Sequence, residues 1–175
     1  MTPRRLLSTP LTFGLLLAGL ALGSVPAGAQ EEGGALVSAA EPAAIIKLLR
    51  DRGQTAILTI DEFNDPFIET SFGNRDYSVW FYGCTAHEDC QSISLQATRM
   101  SPGRASLEAL NDWNAVQRWT KVYSAEVNAA VLEMDISFRA GPMTSDDLSS
   151  ILDIWDGSME QFVRFIDDGE YDFVD

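Results

Sequence analysis

The residues of this chain best suited to chemistry lie together in one short segment, FYGCTAHEDCQSISL, from Phe81 to Leu95. The segment holds both cysteines, Cys84 and Cys90, and the single histidine, His87. Thiolate, imidazole and carboxylate groups bind zinc, and a cysteine beside a histidine can act as a nucleophile. The segment therefore has three interpretations: a metal site, a reactive pair, or a disulfide that joins two strands.

The first 29 residues have the features of a secretory signal peptide. Arg4 and Arg5 form a basic start, residues 11–22 form an apolar run, and Ala27 to Ala29 is a small-residue cleavage site. The apolar run is shorter than the roughly 20 residues that a membrane-spanning helix needs. We therefore expect an exported, periplasmic protein with no membrane span, cleaved after Ala29. The sequence leaves open whether export uses the Sec or the twin-arginine route.

Export places Cys84 and Cys90 in an oxidising compartment, which predicts a disulfide between them. Glu88 and Asp89 lie between the cysteines and oppose the thiolate that a redox-active pair requires. Without free thiolates, His87 lacks the partners for a zinc site or a nucleophilic pair. The chain also has no GxSxG, SxxK, P-loop or GxGxxG motif. We expect no catalytic residue, no metal and no cofactor.

Composition disfavours nucleic-acid and membrane-surface roles. The net charge is −14, and it becomes −16 when Arg4 and Arg5 leave with the predicted signal peptide. Such a surface repels phosphate backbones and anionic lipids, whereas it is compatible with a cationic partner. The 146 residues that remain are the size of one ordinary domain.

The elements that position the cysteine segment follow from hydrophobic periodicity. Residues 30–40 are small and polar, which predicts a flexible leader before a domain at 41–166 and an acidic tail at 167–175. The periodicity predicts an α+β fold, with an antiparallel sheet and three packed helices. Strands are predicted at 55–60, 66–72, 77–83, 91–98, 118–124 and 129–138, and helices from Pro42, over 105–117 and after Thr144.

The predicted disulfide also fixes how its two flanking strands pair. If Cys84 lies opposite Cys90, Phe81 lies opposite Ile93, and this face of the hairpin is wholly apolar. An apolar face of this size predicts the core of the domain.

The other face of the same hairpin carries Trp80 and Tyr82 among small polar residues. Burial under a helix, or half-burial by a twisted sheet, is the first interpretation of these aromatics. The second is a surface that binds a peptide or protein partner.

The predicted second helix holds two amides, Asn111 and Asn114, one turn apart and just ahead of the strand predicted from Arg118. Amides near helix and strand ends most often cap backbone groups, so we predict capping rather than ligand binding. Trp113 between them is predicted to be core.

Several motifs together resemble one family. They are Phe81-Tyr82-Gly83-Cys84, Cys90, Leu110-Asn111-Asp112-Trp113-Asn114, Val131-Leu132-Glu133-Met134-Asp135 and Met143-Thr144. Their order and spacing resemble the YbjN domain family, which is labelled a bacterial sensory transduction regulator. The resemblance covers about residues 41–166. It implies a fold like the small chaperones of type III secretion, a tendency to dimerise, and no established catalytic residues.

These observations predict a non-catalytic, exported module for protein interaction, chaperone-like or regulatory. Its partner is expected to be a protein or peptide that binds the face of Trp80 and Tyr82, and homodimerisation is one use of that face. Two alternatives stay open: a hydrolase that uses surface carboxylates, and a module that binds a small ligand or cation.

Overall fold

The computed structural model describes residues 34–101, 105–126 and 128–168. The predicted signal peptide and residues 169–175 of the predicted tail lie outside the described residues. In chain order the elements are β1 Leu36–Val37, α1 Pro42–Asp51, β2 Thr55–Ile60, β3 Pro66–Phe72, β4 Arg75–Tyr82, β5 Ser92–Met100, α2 Leu107–Val116, β6 Lys121–Glu126, β7 Ala129–Ser137, β8 Met143–Thr144 and α3 Ser145–Asp168.

Six strands form one antiparallel sheet in the order β2-β3-β4-β5-β7-β6. The first four pair in chain order, as the short connections between them require. The chain then passes through α2 and places β6 on the far side of β7, so β2 and β6 are the two edges. This sheet and the three helices confirm the predicted α+β class.

The central hairpin of β4 and β5 has the register that the cysteines predict. Phe81 lies opposite Ile93, and Tyr82 lies opposite Ser92. Just beyond the last pair, the Sγ atoms of Cys84 and Cys90 are 2.13 Å apart, at disulfide distance.

The core lies between one face of the sheet and all three helices. Alternate residues of the strands point into it because side chains alternate between the faces of a strand. The long helix α3 supplies an apolar stripe, which confirms the predicted helical periodicity. Each buried side chain of this size contributes about 2 kcal/mol. The stripe includes Leu148, Leu152, Trp155, Met159 and Phe162, and it meets Tyr77, Val79, Phe81 and Leu95 of the sheet in one cluster.

A polar network joins Arg52, the residue just after α1, to the middle of α3. The Arg52 guanidinium donates to Asp153 Oδ1 at 2.7 Å and to Asp156 Oδ2 at 2.8 Å. Burial raises the pKa of the Asp156 carboxyl, and the hydrogen bond from Arg52 opposes that rise. The network therefore links the end of α1 to α3, and the charge of the largely covered Arg52 is balanced by two carboxylates of α3.

Part of the predicted flexible leader is built into the fold instead. Leu36–Val37 pairs with Met143–Thr144 as a separate two-stranded sheet, and Val37 and Ala39 are buried. This segment gains apolar contacts with residues far away in the chain, and local composition does not reveal such contacts. Residues 30–33 lie outside the described part.

The last helix also extends beyond its predicted end. α3 continues to Asp168, so the first two residues of the predicted acidic tail are helical. Asp167 Oδ2 accepts a hydrogen bond of 2.6 Å from Arg99, which ties this last turn to β5. α3 is long but polar on its outer face, and none of the described helices is apolar enough over sufficient length to cross a membrane.

Candidate functional site

Trp80 and Tyr82 lie on the face of the sheet opposite the helices, which we call the open face. In the described part of the chain, the buried apolar residues of α1, α2 and α3 belong to the core on the other side. The open face is formed by alternate residues of all six strands of the sheet. They include Ile57, Phe67, Glu69, Ser78, Trp80, Tyr82, Ser94, Gln96, Lys121, Glu133 and Asp135.

The two aromatic residues differ in how far the sheet covers them. The Trp80 ring is half-buried and packs edge-on against Phe67, with the ring centroids 4.5 Å apart. Its Nε1 donates to Ser78 Oγ at 2.9 Å. Tyr82 is 47% exposed. Half-burial by the sheet therefore applies to Trp80, whereas Tyr82 presents much of its ring to solvent.

A depression of about 490 Å³ crosses the open face from β2 to β5. Phe67 lines this depression and also packs against the Trp80 ring. A depression that crosses several strands can accommodate an extended peptide. The lining residues include Ile57, Phe67, Glu69, Ser78, Gln96 and Thr98.

A buried carboxylate lies on the same face toward β6. The Glu133 side chain is largely covered, and Lys121 Nζ lies 2.7 Å from its Oε1. Gln96 Nε2 donates to Glu133 Oε2 at 3.3 Å, and Lys121 also pairs with Asp135 at 3.2 Å. Because one lysine serves two carboxylates, this cluster carries a net negative charge.

The Glu133 charge changes how its neighbours titrate. Burial and the hydrogen bond to Glu133 raise the pKa of Tyr123 to about 12. Burial, with the charges of Glu133 and Asp135 added, also raises the pKa of Tyr82. The hydrogen bond to Glu133 raises the pKa of Lys121. At neutral pH, both phenols are therefore neutral hydrogen-bond donors, and Lys121 stays charged.

Sequence patterns alone do not reveal this cluster. Alternation along residues 129–138 does place Glu133 on the face away from the core. However, Gln96 and Lys121 meet Glu133 only because β5 pairs with β7 and β7 with β6. The first of these pairings joins strands that are not consecutive, so hairpin reasoning does not find it.

The cysteine segment contains no reactive pair in the structure. Both sulfurs are at disulfide distance, and His87 Nδ1 lies 2.9 Å from Asp65 Oδ1 in the turn between β2 and β3. Among the described residues, no group of three His, Cys, Asp or Glu side chains converges as a metal site would require. The segment ties the β4–β5 hairpin to its neighbour and positions Tyr82.

Asn114 caps backbone groups, as predicted. Its Nδ2 donates to Val122 O at 2.9 Å, and its Oδ1 accepts from Val122 N at 2.8 Å. Both groups of Val122 therefore point away from β7, toward the outer edge of the sheet, where α2 covers them. Trp113 is fully buried, which confirms its predicted place in the core. Asn111 is exposed one turn earlier.

Comparison with known proteins gives one match. The YbjN family model, described as "Putative bacterial sensory transduction regulator", matches residues 41–168. No curated protein and no solved structure matches the chain. The matched segment contains α1, the whole six-stranded sheet and α3, so it includes every residue of the open face. The chain therefore belongs to the YbjN family.

Proposed function

We propose that this protein is a non-catalytic interaction module that binds a protein or peptide partner on the open face, at Trp80 and Tyr82. One observation carries the proposal: Tyr82 is exposed and Trp80 is half-buried on a sheet face that no described helix covers, and Phe67, which packs against Trp80, lines a depression on this face. Tyrosine and tryptophan dominate the energetics of protein interfaces because they bury large areas and keep a polar group free.

The charges of the open face indicate the partner's chemistry. The strand residues of this face include the acidic residues Glu69, Asp76, Glu133 and Asp135, and Lys121 is their basic counterpart in the described part. A partner with an apolar or aromatic side chain next to basic residues complements this surface. The overall net charge of −14 favours the same class of partner.

The family description supports a regulatory role. A regulator acts by binding, and YbjN proteins are described as sensory transduction regulators rather than as enzymes. The likeness to type III secretion chaperones stays a prediction. The hydrolase and cation-binding alternatives gain no particular support from the arrangement of the carboxylates. Asp156, whose pKa is raised by burial, is engaged by Arg52 between two helices.

We also place this binding role in the periplasm. The basic start, apolar run and small-residue cleavage site of residues 1–29 support export. The cysteine pair at disulfide distance is consistent with an oxidising compartment.

Site-specific photo-crosslinking in the producing cell tests the proposal. A photoreactive residue in place of Tyr82 is expected to capture a partner, because this position is exposed at the centre of the proposed site. The matched control is the same residue in place of Leu107, which is 73% exposed on α2.

The identity of the captured protein is read by mass spectrometry. Crosslinks at Tyr82 but not at Leu107 would support the proposal, and a second copy of the chain as the captured species would identify homodimerisation as the use of this face. Absence of any adduct at Tyr82, or equal adducts at both positions, would contradict it.

A further inference from the structure

A small cavity lies on the helix side of the sheet, where β4 begins and β5 ends. Its volume is about 120 Å³, and because Arg75 and Arg99 line it, we call it the arginine cavity. Its apolar wall consists of Ala97 of β5 with Met159, Phe162 and Val163 of α3. Apolar cavities of roughly 150 Å³ hold benzene, so this one has room for about six non-hydrogen atoms.

Both arginines of the cavity point toward α3 rather than toward the open face. Arg75 lies two residues before the buried Tyr77, and Arg99 lies two residues after the buried Ala97. Since side chains alternate between the faces of a strand, all four share the helix side of the sheet. Two positive charges on neighbouring strands of one face repel each other. The pair therefore favours anions close to both guanidinium groups.

One of the two arginines has an acidic partner and the other does not. Arg99 Nη2 donates to Asp167 Oδ2 at 2.6 Å. Arg75 forms no ion pair within the described part of the chain, and its Nε atom is buried without a hydrogen-bond partner. Its guanidinium carbon lies 5.9 Å from the centre of the Phe72 ring. A buried donor on a charged group is destabilising when it has no acceptor, so an anion beside Arg75 stabilises the fold.

Two carboxylates near Arg75 are directed elsewhere. Asp76 borders the arginine cavity, but as the next residue along β4 it points to the open face and lines the depression there. Asp156 interacts electrostatically with Arg75, but it accepts a hydrogen bond of 2.8 Å from Arg52. The arginine cavity therefore combines an apolar wall with a guanidinium that pairs with none of the described carboxylates.

We propose that the arginine cavity binds a short-chain monocarboxylic acid in its ionised form. The planar guanidinium of Arg75 donates parallel N–H groups to the two carboxylate oxygens, a geometry that arginine provides and lysine does not. A chain of about three carbon atoms beyond the carboxylate fills the remaining volume and contacts Met159, Phe162 and Val163. Butyrate has this size.

The two parts of the cavity disfavour different classes of ligand. An inorganic anion such as phosphate provides an acceptor for Arg75 but leaves the apolar wall in contact with water. A neutral apolar molecule covers that wall and leaves the buried Nε atom of Arg75 without an acceptor. The ligand therefore needs both a carboxylate and a short apolar chain.

This inference is independent of the proposed function, because the cavity lies on the helix side of the sheet and Trp80 and Tyr82 lie on the open face. A bound acid contacts both α3 and the β4–β5 hairpin, so it should also raise the melting temperature of the protein.

Nuclear magnetic resonance titration of the purified, nitrogen-labelled protein with sodium butyrate, at neutral pH and constant ionic strength, tests the proposal. We expect saturable shifts at the amides of residues 74–76, 97–99 and 159–163, with a dissociation constant on the order of 1 mM. Inorganic phosphate lacks the apolar chain and butanamide lacks the charge, so each should bind about tenfold more weakly or worse. These comparisons use the unaltered protein and do not depend on the folding of any variant.

Arg75→Gln checks the assigned contact. It should raise the butyrate dissociation constant about tenfold or more, the effect of losing charge-assisted hydrogen bonds. Arg139→Gln, an equal change at an exposed arginine after β7, should leave that constant unchanged. The amide spectra show whether each variant is folded. Absence of saturable shifts around the cavity, equal affinity for phosphate or butanamide, or a folded Arg75→Gln variant that binds butyrate like wild type would overturn the proposal.

Discussion

The two edges of the sheet are built on opposite principles. At β6, Asn114 holds both outward groups of Val122, Lys121 places a charge on the strand, and a register shift between Ser124 and Glu126 interrupts the ladder. At β2, Arg50 binds one carbonyl, and the strand itself is apolar and uncharged. Charges, bulges and covering elements are the usual means by which proteins prevent edge pairing. One edge has all three, and the other has almost none.

The comparison indicates that particular local features, rather than the position of a strand in the sheet, determine whether an edge strand is protected from pairing with another strand. Both edges belong to the same antiparallel sheet, yet β6 is protected by Asn114 of α2, by the charge of Lys121 and by the register shift after Ser124. The open face lies between the two edges, and both edge strands contribute to it: Ile57 of β2 lines the depression, and Lys121 of β6 pairs with Glu133.

Removing the amide at the closed edge should have the largest effect. Asn114→Ala leaves the N–H and C=O of Val122 without partners, and we expect the free energy of unfolding to fall by about 2 kcal/mol. Asn111→Ala on the same helix is the matched control, and it should change this free energy by less than about 0.5 kcal/mol. Urea denaturation of both variants measures the difference. Equal effects would show that Asn114 does not close the β6 edge.

Raising the pH into the alkaline range should lower the free energy of unfolding, by less than Asn114→Ala does. The pKa of Tyr123 is raised to about 12, and that of Lys121 is also raised, so both protonated forms are favoured by folding. The stability that they contribute is complete below the unfolded pKa values of about 10 and is lost as the pH rises through the folded values. β2 has no ionisable side chain and should not respond.

Urea denaturation at a series of alkaline pH values measures this loss, with ionic strength held constant. Tyr123→Phe should reduce the loss, because one of the titrating groups is absent. An unchanged pH dependence in Tyr123→Phe would mean that the link between Tyr123 and Glu133 contributes nothing to β6.

Removing the contact between Arg50 and β2 should have the smallest effect on stability. Arg50→Ala deletes one hydrogen bond from an exposed side chain to Ala56 O, and we expect a loss of at most about 0.5 kcal/mol in the free energy of unfolding. Lys47→Ala, on the same helix, provides the control. A loss as large as that of Asn114→Ala would remove the contrast between the edges.

Much of the fold follows from local patterns in the sequence. The apolar stripe of α3 and the alternation in β7 depend on neighbouring residues alone, so periodicity finds them. The β4–β5 register follows from one covalent constraint, the pairing of Cys84 with Cys90. Asn114 was predicted to cap backbone groups because amides near helix ends commonly do so.

The features that the sequence did not reveal all depend on contacts between distant segments. β1 forms because Leu36–Val37 meets Met143–Thr144. The Glu133 cluster forms because β5 pairs with β7, and β2 is an edge only because of the strand order. Strand order is set by the packing of the whole sheet on its helices, and no local pattern encodes it.

Amide hydrogen exchange at Leu58 and Val122 tests the contrast between the edges most directly. In dilute protein, the Val122 N–H is bonded to Asn114 and should exchange slowly, whereas the Leu58 N–H points to solvent and should exchange fast. The Leu58 N–H points away from β3, because Asp61 N donates to Asp65 O and the direction of main-chain groups alternates along a strand. Slow exchange at Leu58 in dilute protein, or equally fast exchange at both amides, would contradict the account.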